Sequence, residues 1–196
     1  MVGQASDRLP SETLSDWVSF GDHVVIAKVD SERELDTPPE VVQRGEGLIG
    51  RRISARVTTT LWSRAQAPAL PSTVDLLVWG WVLQDGKRLP FTSDGAPRLG
   101  VGSTYVIPLT QVKGGEWIVL APSAVLPVTA QTIRAPGGAE VGTIAPLARS
   151  YAGRAAADLG RDLAAATPDP VAARHFDEDP DARWAAVVEA RAAGQP

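Results

Sequence analysis

Between residues 52 and 61 the chain alternates strictly. Ile53, Ala55, Val57, Thr59 and Leu61 are separated by Arg52, Ser54, Arg56, Thr58 and Thr60. A period of two puts each set on one side of an extended backbone, so the stretch reads as a long β-strand with one apolar and one polar face. Trp62 falls on the polar face; a bulge would turn it inward, and otherwise it covers the end of a barrel. Upstream, "HVVIAKVDSER" is rich in β-branched residues and turns polar at its end, a first strand. Downstream, "TVDLLVWGWVL" is apolar on both sides. Strands of that kind are covered on both faces, which predicts Trp79 and Trp81 as core residues. "TYVIPL" and "WIVLAPSAVLPV" supply a fourth and a fifth strand. Turns fall at Asp85–Gly86 and at "VKGGE", and "ELDTPPEVVQRGEG" is a loop with one helical turn after Pro39.

The two ends carry helical spacing. In "PSETLSDWVSFGD", Ser11 is the expected N-cap, Leu14, Trp17 and Val18 form the apolar side, and Gly21 ends the helix. From Ala145 the chain becomes alanine-rich, with Leu159 and Leu163 four apart. "DPDARWAAVVEARAAG" reads as a last helix capped by Asp179 or Asp181, with Pro180 in its first turn and a stripe of Trp184, Val187 and Val188. "APGGAEVG" marks the boundary between the two regions. The predicted fold is mostly β: a five-stranded OB-like Greek-key barrel with a short N-terminal helix over 11–134, and a C-terminal α-helical segment over 145–193.

The order of "DHVVIAKV", "GRRISARVTTTLWSR", "VDLLVWGWV", "LGVGSTYVIPL" and "EWIVLAPSAVLPV" resembles the netrin-like branch of OB folds, which includes the tissue inhibitors of metalloproteinases. It is also similar to a group of often exported actinobacterial proteins that combine a "DHVV" strand with "GEGLIGR", "LWSR" and "GWV". The resemblance covers about residues 14–128 and the "TPDP" tail, and what it implies is a barrel. The inhibitors act through an N-terminal cysteine. This chain has none, so no site residue carries over.

Composition narrows the classes. A hydrophobic content of 44% in 196 residues allows a sizeable core, and a net charge of −4 gives no broad attraction to nucleic acid or an anionic membrane. Without cysteine there is no disulfide, thiolate metal site or cysteine nucleophile. No apolar run has membrane-spanning length, so no membrane insertion is expected. Residues 1–20 lack the pattern of a signal peptide, so the expected location is cytoplasmic, or exported if a leader has been removed.

Few residues suggest chemistry. "GEGLIG" at 45–50 matches a dinucleotide fingerprint in letters only, because a strand follows where a helix is required. Asp177, Asp179 and Asp181 resemble the start of a calcium loop, but Ala182 and Val188 stand where glycine and glutamate belong. An acidic helix start accounts for them. His23 and His175 have no third metal ligand nearby in sequence, and there is no nucleophile elbow. No catalytic residue, metal ligand or cofactor is assigned. The candidate binding residues are Arg52, Arg56, Trp62 and Arg64, a basic and aromatic set of the kind that binds single strands on OB folds, and equally a solvated strand face. The expected function is a non-catalytic module that binds another protein. A single-stranded nucleic-acid binder is the first alternative and a carboxylate-dependent hydrolase the second.

Overall fold

The computed structural model describes residues 9–37, 39–93, 95–136 and 144–194. Its centre is one antiparallel sheet of eight strands: β1 (His23–Glu34), β2 (Gly47–Ser63), β3 (Thr73–Gln84), β4 (Lys87–Pro90), β5 (Thr104–Gln111), β6 (Trp117–Val119), β7 (Leu126–Thr129) and β8 (Thr132–Ile133). The order is β4-β3-β2-β1-β5-β7-β8, with β6 also paired to β5. Six helices accompany it: α1 (Leu14–Phe20), α2 (Pro39–Arg44), α3 (Pro146–Tyr151), α4 (Ala156–Ala165), α5 (Pro170–Ala173) and α6 (Pro180–Ala192). The five expected strands are present. The three extra ones are short: β4 follows a turn with positive φ at both Asp85 and Gly86, and the fifth expected strand is divided into β6 and β7. None of the helices is long and apolar enough to cross a membrane, among the described residues. Part of the expected boundary "APGGAEVG", residues 137–142, lies outside the described residues.

The sheet buries both faces at its centre. Val25, Ala27, Ile53, Ala55, Leu76, Ile107 and Leu109 form one cluster on its inner face. Val24, Ile26 and Val106 alternate with these and join a second cluster on the other face with Trp17, Phe20, Leu159, Leu163 and Val187 from the helices. The C-terminal helical segment therefore packs on the sheet. Pro108 sits in a central strand, where a missing N–H normally breaks a ladder. Its carbonyl accepts from the Leu120 amide, so its nitrogen faces the same side. There the partner of β5 changes from β7, which ends opposite Val106, to β6, which begins opposite Leu109. No ladder bond is lost.

Local chemistry sets the helix ends. Thr13, and not Ser11, caps α1: Thr13 Oγ1 accepts from the Asp16 amide at 3.0 Å, and Asp16 accepts from the Thr13 amide at 2.9 Å, a capping box. Ser11 is buried, and its carbonyl accepts from the Trp17 indole. Asp179 caps α6 and also accepts from the Lys113 amide at 2.6 Å. The inward stripe of α6 is Arg183, Val187 and Ala190, with Trp184 edge-on to Phe20. Val188 is 47% exposed, because the stripe is rotated toward the buried Arg183.

A buried ionic cluster joins helices to sheet. Asp22, 1% exposed, receives Arg64 Nη2 at 2.6 Å and Nε at 3.2 Å, the Thr110 hydroxyl at 3.2 Å and the Gln111 amide at 2.8 Å. Arg183 stands 3.5 Å from the same carboxylate and donates to the Ser19 carbonyl, while its buried Nε has no partner among the described residues. Burial holds the Arg183 guanidinium below the ordinary arginine value, against the pull of Asp22.

Asp22→Ala leaves two buried guanidiniums without a counter-charge and costs about 3–5 kcal/mol in denaturant unfolding. Arg183→Met removes an incompletely satisfied charge while Arg64 still neutralises Asp22, and changes stability by less than about 1 kcal/mol. Equal losses for the two variants would contradict this division. At Gly160 a Cβ would lie 3.0 Å from the Leu61 carbonyl oxygen, where α4 crosses β2. Gly160→Ala therefore destabilises by about 1–3 kcal/mol in the same measurement, although alanine is the better helix former by about 1 kcal/mol.

Candidate functional site

The far end of the sheet, away from α1 and α3–α6, is built around two glycines of β2 and β3. A bulge sets Ile49 opposite Trp81 and Gly50 opposite Trp79, which leaves Gly80 as the extra residue. A Cβ on Gly80 would stand 3.1–3.4 Å from the side-chain stem of Arg51, so the bulge glycine makes room for a buried arginine. Arg51 is 1% exposed and shares the inner face with Ile53 and Ala55. Its Nη1 bonds Glu32 and the Leu99 carbonyl, and its Nε reaches the Trp79 carbonyl at 3.4 Å. Burial first, and then the Arg98 charge, lower its pKa, while Glu32 opposes them. An arginine starts so far above neutrality that it stays charged.

Arg51 also pins the loop that closes this end. Arg98 donates to the Gly80 carbonyl at 2.6 Å, and the Tyr105 hydroxyl donates to the Arg98 carbonyl at 2.8 Å. Arg88 and Arg98 both stack on Trp81, at 3.8 and 5.0 Å from its ring centre. Trp81 is thus half-buried by guanidinium planes.

The outer face here has no helical layer. Register places Arg33, Arg52 and Leu77 in one row across β1, β2 and β3. In the next row Leu35 donates its amide to the Gly50 carbonyl, and Gly50 opposes Trp79. A Cβ on Gly50 would be 3.2 Å from Leu35 Cδ1 and 3.6 Å from Leu77 Cδ1: two leucines meet over a glycine floor. Leu77 is 50% and Trp79 45% exposed, so β3 is not covered on both faces, and Trp79 is a surface residue rather than core. β4 pairs with β3 only from Trp81 to Gln84. From Thr73 to Trp79 the other edge of β3 has no ladder among the described residues, and along it opens a cleft of about 560 Å³. Leu35, Leu48, Leu77 and Trp79 line it together with Ile118, Val119 and Val125.

The four residues singled out from sequence do not converge. Arg56 is exposed and bound through two bonds to Asp30, at 2.9 and 3.0 Å. Arg64 is buried against Asp22, with the Phe176 ring 4.8 Å away. Trp62 is half-buried against the helical cluster; the ladder with β1 slips beside it, so that Leu61 and Trp62 both meet the helices. Arg52 and Arg56 share the uncovered face, but only Arg52 stands in the row of Leu77. Arg33, Leu77 and Trp79 were missed because periodicity gives alternation within a strand but not the register that sets Leu77 beside Arg52.

The remaining motifs are structural in geometry. His23 Nε2 donates to the Pro68 carbonyl and Nδ1 shares a hydrogen bond with the Ser63 hydroxyl, both at 2.8 Å, which ties the 65–72 linker to β1. His175 bonds Glu178 at 2.9 Å. Among the described residues no group of three or more histidine, aspartate or glutamate side chains is placed to hold a metal ion. "GEGLIG" runs into β2, so it faces no helix N-terminus. Comparison with protein-family models, with curated proteins and with solved structures returned no match.

Arg33 and Arg52 stand directly opposite, and neither has an ion pair with a described residue. Like charges opposed across a ladder are destabilising. Arg33→Glu is expected to raise unfolding stability by about 0.5–1 kcal/mol at low salt, with a smaller gain as ionic strength rises. A loss of stability would contradict the unpaired state of the two guanidiniums.

Proposed function

We propose that the chain is a non-catalytic protein-binding module that docks through the uncovered outer face of β2 and β3 and the cleft along the β3 edge. One observation carries this reading. Leu77 and Trp79 lie half exposed in neighbouring rows of one sheet face, beside the glycine floor of Gly50, while the centre of the sheet is buried on both faces. Exposed apolar patches of this kind mark interaction sites, and tryptophan is enriched among residues that dominate binding energy. The rigid framework around it, with Arg51 and Arg98 clamping the loop at 96–103, suits a preformed surface. The same reading includes an OB-like barrel: β6 is set against β3 across the cleft, and closure there would complete a Greek-key barrel with the binding face on its outside.

The test is affinity capture from the native host after nuclease treatment, with wild-type protein and the Leu77→Ser/Trp79→Ser double variant side by side. The reading expects one protein retained by wild type and lost by the variant, with the variant's thermal transition intact. Equal retention by both, or loss of all partners on nuclease treatment, would overturn it.

A further inference from the structure

We infer that the partner presents carboxylates beside apolar side chains, in an extended acidic–apolar segment laid over the Leu77–Trp79 face. This rests on the docking reading above and adds the chemistry of what docks. The argument is charge complementarity. Arg33 and Arg52 oppose each other in adjacent strands, an arrangement that raises the free energy of the isolated chain. Elsewhere on this sheet the arginines are matched: Arg56 with Asp30, Arg88 with Glu34, Arg51 with Glu32, Arg64 with Asp22. The carboxylates near the pair do not serve it. Asp75 lies opposite Ser54, in the next row, and Asp36 adjoins Leu35; neither bridges to Arg33 or Arg52 among the described residues.

The unmatched pair borders the exposed apolar patch directly, because Leu77 is in its row and Trp79 in the next. Two arginines opposed in one row, beside the row that holds Trp79, fit a carboxylate pair with an apolar neighbour. Spacing agrees. Successive cross-strand rows on one face are two residues apart, so a strand with an acidic residue at one position and an apolar residue two positions on meets the arginine row and the Trp79 row in turn. A single-stranded nucleic acid would also value arginine and tryptophan. It is disfavoured because one aromatic residue stands among leucines, with no row of aromatic platforms on which successive bases could stack.

Fluorescence anisotropy on the full chain tests this with three labelled peptides of about eight residues, the length of a strand. The first repeats Leu-Leu-Glu-Glu, which places leucine and glutamate in turn along each face of the extended chain; glutamine replaces glutamate in the second and lysine in the third. A labelled oligothymidylate of similar length is the fourth probe. The expected result is that the glutamate peptide binds roughly tenfold or more tighter than the glutamine peptide at low salt. Arg33→Gln/Arg52→Gln should erase that difference, and Leu77→Ser/Trp79→Ser should weaken both peptides. If the glutamate and glutamine peptides bind equally, and both depend on Leu77 and Trp79, the acidic partner is wrong while the docking face stands. If no peptide depends on Leu77 and Trp79, both readings fail. Tighter binding of the oligonucleotide, lost in the arginine double variant, overturns the inference in favour of nucleic acid. Thermal melts of each variant separate lost binding from lost folding.

Discussion

A single carboxylate holds the two layers of this protein together. Asp22 lies between α1 and β1, and no side of it faces water. Its oxygens receive Arg64 at the end of β2 and the end of β5 through Thr110 and Gln111, with Arg183 of α6 close by. Its backbone is engaged as well: the amide donates to the Leu109 carbonyl and the carbonyl accepts from the Arg64 amide. Taking a carboxylate out of water costs several kcal/mol, and only near-complete bonding in good geometry offsets that. The cluster is therefore permissive of very few arrangements of β1, β2, β5 and α6. A hydrophobic contact of similar size would tolerate sliding.

This constraint places the helical layer at one end of the sheet and leaves the other end without one. Where α4 reaches β2, the crossing at Gly160 and Leu61 is so close that a methyl group does not fit. Beyond that crossing the outer face carries Arg52, Arg56, Leu77 and Trp79, open to solvent to differing degrees. The inner face at the same end is filled by charge rather than by bulk: Arg51 beneath Gly80, with Glu32 and the Leu99 carbonyl as partners. Such a closed inner network stiffens β3 and so presents Leu77 and Trp79 on a fixed frame.

Much of this was legible in the sequence, and the failures have physical causes. The long alternating strand, the β-branched first half of β1 and the caps of Gly21 and Asp179 follow from local periodicity and end chemistry. Register does not. Sequence pattern alone left Trp79 in the core, because a run apolar on both sides usually belongs to a covered strand, and only pairing with Gly50 and Arg52 shows that no layer covers it. Arginine is the other ambiguity. Arg51, Arg56 and Arg64 look alike along the chain, yet they become a buried clamp, a surface ion pair and half of an ionic bolt. The difference lies in partners at Glu32, Asp30 and Asp22, which are distant in sequence. Pro108 shows the converse: it reads as unsuited to a central strand, and it fits because its nitrogen faces the gap between two short partners.

Native-state hydrogen exchange tests most directly whether the Asp22 cluster makes helices and sheet one unit. The amides of α6 around Arg183 and Val187, and those of β1 around Val25 and Ala27, are the groups to compare. One cooperative unit predicts that both sets exchange with the same opening free energy and respond together to denaturant. Exchange of the α6 amides through a separate opening of much lower free energy, with β1 still protected, would contradict the account and make the C-terminal helices an independent segment resting on the sheet.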